Sequence, residues 1–374
     1  MPNPPDPARS APGPHGLASP VRDRAEAAIE DPWMSVIILN YNGDRWLKRC
    51  LESIARQTIF ACLEVIVADN ASSDGSAQMA ADLIRGWRRA QVILHGLNLG
   101  YCEGNNRAAR EARGRFLLFL NNDTWLEPDC LEQLHRNLQN AGATAGCPLV
   151  LDYQSDRFQS LGAEGLDLFG FPSTRRLRPD PAAVLMPEGC AYCIDRAAFE
   201  RLGGFDPEFF MYADEWDLSW RVWLAGYTAL AIPSARLHHW GAAQLLEDAA
   251  AAPAALRTSE SKRFLANRNS LLVLLKHARG ILWAIAILQV AWLCLESLLA
   301  LLMVRRISFI RRAYCGAFLD CWRLRRHIRQ SRRQFLPMRR HGDIWFLRFL
   351  RPRFNRWDEW IRLRRAARLE VLPR

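Results

Sequence analysis

From Ser35 to Leu120, short apolar runs alternate with stretches whose apolar positions recur every three or four residues. Val36-Ile37-Ile38-Leu39 is closed by Asn40-Tyr41-Asn42-Gly43, which predicts a buried strand ending in a turn. Asp44 is placed to cap the next segment, where Trp46, Leu47, Cys50, Leu51 and Ile54 fall at helical spacing. Leu63 to Ala68 repeats the strand and ends in Asp69-Asn70-Ala71-Ser72-Ser73-Asp74-Gly75. A helix to about Trp87, a strand at Val92 to Leu94, a Gly/Asn-rich loop, a helix to Ala112 and a strand at Phe116 to Leu120 follow. Strands alternating with helices predict a parallel α/β sheet with right-handed crossovers.

In three of these units a polar cluster stands directly after the strand: Asn40 to Asn42, Asp69 to Asp74, and Asn121 to Asp123. Any one of them is an ordinary turn in composition. Three at the carboxyl edge of one parallel sheet are expected to converge on a single crevice, where open α/β folds bind ligands. No G-x-G-x-x-G follows the first strand and no G-x-x-x-x-G-K-[ST] occurs anywhere, which argues against a dinucleotide fold and a P-loop. The loop Asn98-Leu99-Gly100-Tyr101-Cys102-Glu103-Gly104-Asn105-Asn106 has the glycines to let backbone approach a ligand closely.

In order, these pieces resemble family 2 glycosyltransferases of the GT-A fold, the rhamnosyltransferase-like branch especially. The resemblance continues through Gly203-Gly204-Phe205-Asp206-Pro207-Glu208-Phe209-Phe210-Met211-Tyr212, Asp214-Glu215-Trp216-Asp217-Leu218-Ser219-Trp220-Arg221 and His238-His239-Trp240-Gly241. It implies an α/β fold, a GT-A-type nucleotide-sugar-binding sheet flanked by helices, over residues 33–278. It also implies an enzyme that moves a sugar from a nucleotide diphosphate, here a UDP- or dTDP-sugar, to an acceptor hydroxyl with inversion.

The same resemblance assigns residues. Asp69 would accept the imide N–H of the base, with Asn40 and Tyr41 flanking the nucleoside and Asn98, Gly100, Asn106 and Asn122 completing the donor side. Asn121-Asn122-Asp123 stands where the family carries its D-x-D metal motif, so Asp123 would hold Mg2+ or Mn2+ against the diphosphate, although Asn replaces the first acid. His238 is the expected further ligand, with the adjacent His239 as its competitor. The acidic pair of the family reads Asp214-Glu215 here. Glu215 is the expected base for the acceptor hydroxyl and Asp214 the competitor. Asp217 and Arg221, four apart, read as a structural ion pair.

Beyond residue 278 the picture changes. Ile281 to Val304 is apolar apart from Gln289, Glu296 and Ser297, long enough to span a bilayer, yet with cations on both flanks. An in-plane or re-entrant helix, a single span and a buried core helix all remain open. The net charge of the chain is +11, but 21 arginines against five acids give residues 305–374 a net +16 and leave −5 for the rest. Basic and aromatic residues interleaved after an apolar helix suit an anionic membrane surface; nucleic acid is not the expected partner. Residues 279–374 thus form a membrane-associated, Arg-rich helical extension, and trimming from Arg305 is expected to release the enzyme from membranes before catalysis fails. Residues 1–32, proline-rich without an apolar run, read as a disordered leader and not a signal peptide. Ten scattered cysteines favour a reducing compartment, and Cys190-x-x-Cys193 alone is weak evidence for zinc or redox chemistry. The expected setting is the cytoplasmic side of the cell membrane, with a glycan or lipid-linked acceptor. The alternative is a non-catalytic, membrane-bound sugar-nucleotide or glycan-binding protein.

Overall fold

The computed structural model describes residues 31–174, 177–241, 259–304 and 306–353. The expected leader, but for its last two residues, and the arginines beyond 353 lie outside the described residues.

Four parallel strands form one half of the main sheet: β1 (Met34–Asn40), β2 (Leu63–Asp69), β3 (Ala90–Leu94) and β4 (Phe116–Asn121), in spatial order 4-1-2-3. Four helices follow them in the chain: α1 (Asp44–Ala55), α2 (Ser76–Leu83), α3 (Gly100–Glu111) and, past the short β5 (Thr124–Leu126), α4 (Cys130–Ala141). Alternate side chains of β1 serve the two faces, as a strand's period of two requires. Val36 and Ile38 pack with Leu47, Leu51 and Leu134, while Ile37 joins Leu117, Phe119 and Ala108 in the opposite layer. The register sets Asn40 beside Asp69 and Leu39 beside Asn121. The three polar clusters therefore meet at one carboxyl edge.

Two local expectations shift. Asp44 is the first residue of α1 rather than its cap, and its backbone N–H donates to Asp74 Oδ2 (2.9 Å). The second helix stops at Leu83, short of Trp87, because Gly86 turns the chain with φ +86°.

The sheet continues antiparallel from β4. β6 (Ala145–Asp152) is flanked by the short β7 (Phe158–Ser160); β8 (Ala163–Leu166) and β9 (Pro172–Thr174) form a separate pair; β10 (Ala182–Ala183) is the outer edge. β11 (Ala191–Asp195) inserts between β4 and β6, followed by α5 (Arg196–Leu202) and α6 (Asp214–Leu224). β12 (Ala229–His239) lies parallel to β6 and crosses Pro233, which has no N–H for the ladder, through an irregularity between Ile232 and Arg236. His238 and His239 thus end a strand, opposite Trp125 and Thr124.

After α7 (Glu260–His277) comes the apolar α8 (Leu282–Val304), by length and composition alone able to cross a membrane. Then follow α9 (Ile307–Ile310), α10 (Gly316–Arg323), α11 (Arg325–Phe335) and α12 (Asp343–Phe346). Along α8, Leu282, Ile285, Ala286, Gln289, Leu293, Glu296 and Ala300 are buried at helical spacing. Both polar residues of this stripe point inward. Glu296 accepts from Tyr314 Oη (2.8 Å) and Trp292 Nε1 (3.1 Å) and stands 3.4 Å from Arg263. The opposite stripe exposes Trp283, Ile287, Leu288, Leu295, Leu298 and Leu302. The segment after residue 278 packs on the body: Arg268 pairs with Asp320 at 3.0 Å and His327 with Asp206 at 2.8 Å.

Candidate active site

Asn40 is fully buried and uses its whole amide. Its Nδ2 lies within donating distance of Asp69 Oδ1 (2.9 Å), Ser72 Oγ (3.1 Å) and Ser76 Oγ (2.8 Å), and its Oδ1 accepts from Asn122 Nδ2 (3.0 Å). Asn40 therefore does not flank a nucleoside with a free amide; it ties Asp69 to Asn122 across β1. Gly43 makes that tie fit, since a methyl group there would collide with Asn40 Oδ1 and Asn122 Nδ2. Asp69 Oδ2 accepts the Ser72 N–H (2.9 Å), while Tyr41 stands exposed at the rim.

Two further residues expected on the donor side turn out to hold protein. Asn106 donates to Phe205 O (2.8 Å) and accepts from Phe205 N (2.9 Å), so both ends of its amide clamp the Gly203-Gly204-Phe205 turn. Gly100 has φ +74°, and a Cβ there would lie 2.8 Å from Phe210 O. The group that approaches this glycine closely is thus the Phe210 backbone, whose carbonyl accepts the N–H groups of Tyr101 (2.7 Å) and Cys102 (3.1 Å) at the start of α3. Asn98 shapes the same turn by accepting the Gly100 N–H at 2.9 Å.

Asp123 is buried, and the imidazole beside it belongs to His239, Nε2 lying 3.4 Å from Asp123 Oδ1. His238, the ligand expected from sequence, faces elsewhere: period-two alternation on β12 turns it to stack on Trp125 and approach Glu127. A divalent cation fits the Asp123–His239 pair on its donor chemistry, one carboxylate oxygen and one imidazole nitrogen. Burial works against an imidazolium there, yet Cys190 and Asp123 outweigh it and hold His239 well above its ordinary range. The spot favours positive charge. Cys190 and Cys193 themselves are free, buried thiols.

The acidic pair opens α6 after a strained approach. Phe210, Tyr212 and Ala213 all have positive φ (61°, 69° and 58°), a region that costs non-glycine residues of order 1 kcal/mol or more each. Asn269 holds this bend. Its buried Nδ2 lies within donating distance of Phe209 O (3.0 Å), Met211 O (2.8 Å) and Tyr212 O (2.7 Å). Arg268 fixes the orientation by donating through Nε to Asn269 Oδ1 (2.8 Å), and its Nη2 reaches Glu208 O (2.7 Å).

Burial first, and Asp217 next, push the Asp214 carboxyl up to about 7; burial and Asp214 raise Glu215 well above its usual range. Two adjacent acids in one dry site resist losing both protons. Glu215 packs on Gly189, whose added Cβ would come 3.2 Å from its carboxyl carbon. The next residue, Cys190, accepts the Asn121 N–H through its carbonyl (2.9 Å). Segment 189–190 therefore joins the acidic pair to the Asp123 turn. Behind the pair, Asp217 is structural as expected: Arg221 lies at 2.7 Å, Lys276 at 2.6 Å and His277 at 2.8 Å.

The profile described as Glycosyl transferase family 2 matches residues 35–203. EpsH of Bacillus subtilis (strain 168), which bears a glycosyltransferase name, is 34% identical over 34% of this chain, and the match spans 36% of its own length. The N-acetylglucosaminyl-diphospho-decaprenol L-rhamnosyltransferase of Mycobacterium tuberculosis is 29% identical over 63% of this chain and 85% of its own. A mannosyltransferase from Pyrobaculum calidifontis, solved with GDP-Man and Mn2+, aligns with a TM-score of 0.51 at 16% identity, covering 83% of this chain and 86% of that one. With the strand-end crevice and the motif order in agreement, residues 35–203 match the family 2 glycosyltransferases and the chain has the GT-A fold.

Proposed function

We propose that this protein transfers a sugar, with inversion, from a nucleotide diphosphate to a hydroxyl of a lipid-linked glycan at the cytoplasmic face of a membrane. The observation that carries the reading is the meeting of two unlike centres around residues 189–190, Asp123 with His239 on one side and Glu215 with Asp214 on the other. Inversion needs a base on the face of the sugar opposite the leaving group, and two separated centres suit that demand. Glu215 accepts the proton of the attacking hydroxyl, and Asp214 modulates it as the nearest charge. Asp69 presents Oδ2 to the base of the nucleotide. Asp123 and His239 would hold a divalent cation, which neutralises charge on a departing diphosphate. The raised acids imply that Glu215 becomes competent only as the pair loses a proton. The lipid-linked acceptor and membrane setting are supported by the rhamnosyltransferase likeness and by the exposed apolar stripe of α8.

The deciding experiment presents UDP-, dTDP- and GDP-sugars to the purified chain with Mn2+, Mg2+ or chelator, and reads hydrolysis and thermal stabilisation. A cation-dependent response to at least one donor is expected. Stabilisation without turnover, even with added lipid-linked acceptor, would favour the non-catalytic binding protein.

A further inference from the structure

A cavity of about 260 Å3 opens between the end of α7, the residues leading into α8, and α11. Its wall carries six cations: Lys276, Arg279, Arg329, Arg332, Arg333 and Arg339. Three have protein partners. Lys276 binds Asp206 and Asp217, Arg332 donates to Leu275 O (2.8 Å), and Arg339 donates to His277 O (2.8 Å) and to Asp343. Arg279, Arg329 and Arg333 are exposed, and among the described residues no acid pairs with them. Burial, followed by the charges of Arg279 and Arg339, holds Arg332 below its ordinary range. Six cations converging on one hollow, three of them without an acid partner among the described residues, favour an anion there.

The cavity is not uniformly polar. Phe335 and Leu336 line it, and Arg332 sits over the ring of Trp283 at 5.6 Å. Trp283 starts the exposed apolar stripe of α8, which runs on through Ile287 and Leu288. A free anion would use the cations and leave the stripe uncovered. Nucleic acid would need a longer track of cations and no apolar strip. A molecule with a phosphate at one end and hydrocarbon at the other uses both.

We propose that this cavity binds the headgroup phosphate of an anionic membrane phospholipid, whose chains lie along the exposed face of α8. The proposal rests on the membrane placement given above and adds to it a defined headgroup site. Its test uses the full chain with phosphatidylcholine vesicles, with and without phosphatidylglycerol. The variant Arg279→Gln/Arg329→Gln/Arg333→Gln is compared with Arg323→Gln/Arg325→Gln/Arg326→Gln, which removes the same charge outside the cavity wall. The cavity variant should lose affinity for phosphatidylglycerol vesicles by about tenfold more than the control, because a site needs converging donors whereas a diffuse field counts only charge. Its melting temperature and donor hydrolysis should match the parent, so that failure of this idea is separable from failure of the enzymatic reading. Equal losses in the two variants, or no preference of the parent for phosphatidylglycerol, would overturn the proposal. Saturable stabilisation by inorganic pyrophosphate without any vesicle preference would assign the cavity to a soluble ligand and overturn it too.

Discussion

At the strand ends, Asn40, Asp69 and Asn122 hold one another through short hydrogen bonds between neighbouring parallel strands, and the loops they stabilise follow those strands directly. Asp214 and Glu215 are held differently. Their loop is bent through three left-handed non-glycine residues and kept there by Asn269 and Arg268 of α7, well separated from it in the chain. Beneath them, Asp217 and Asp206 are tied to Lys276, His277 and His327. The strand-end cluster is thus a product of local topology, while the acidic pair depends on partners remote in sequence. Preorganisation is cheap where a sheet supplies it, and elsewhere it has to be imported.

The sharpest test of that contrast is Glu215→Gln. It should lower transfer by roughly 10²–10⁴-fold while leaving donor affinity nearly unchanged. In the parent, activity should rise with pH only well above the usual carboxylate range, because burial raises both acids of the pair and the base must be ionised. The stability sign is opposite. A carboxyl whose folded pKa is raised destabilises the fold increasingly as pH climbs from its unfolded value toward the folded one, so Glu215→Gln should melt about 2–4 °C higher at neutral pH. Loss of donor binding in this variant would place Glu215 on the wrong side of the comparison.

Next in size is Asn269→Ala. Removing the buried amide that bridges the Phe209, Met211 and Tyr212 carbonyls should destabilise by about 1–3 kcal/mol and reduce kcat about tenfold or more, with donor Kd little changed. An unchanged kcat would show that the strained loop holds itself. Gly43→Ala probes the other side: it should break the Asn40–Asn122 bond and weaken donor binding by about 1 kcal/mol, with a smaller effect on kcat. The smallest effect concerns pH. The bond to Asp206 raises His327, so its stabilising contribution is full below the ordinary histidine range and fades as pH rises through the raised value. His327→Gln should flatten that alkaline decline in melting temperature.

The pattern of apolar runs was enough to locate β1, β2 and β4 and the crevice above them, because a parallel strand announces itself within a few residues and its polar end follows at once. Asp123, Asp69 and the Asp214-Glu215 pair were legible for the same reason, through short motifs in order. What stayed hidden depended on direction and distance. Nothing in His238-His239 says which ring faces Asp123 until Pro233 is seen to lie within a strand. Asn106 and Gly100 carry residue types that suit a ligand loop, and only packing shows that Phe205 and Phe210 occupy them. Asn269 lies some sixty residues from the carbonyls it binds, so no local window connects the two.

Arg268 touches the loop before Asp214 through Glu208 O, and α10 through Asp320. Trimming the chain from Arg305, expected from sequence to spare catalysis, would also remove Asp320, His327 and Arg339 from the underside of the active site. The basic extension is therefore a load on the loop as well as a surface feature. Any ligand that displaces α10 or α11 must alter the energy of the bend before Asp214, and occupancy of the active site must, by reciprocity, alter how strongly that ligand is held.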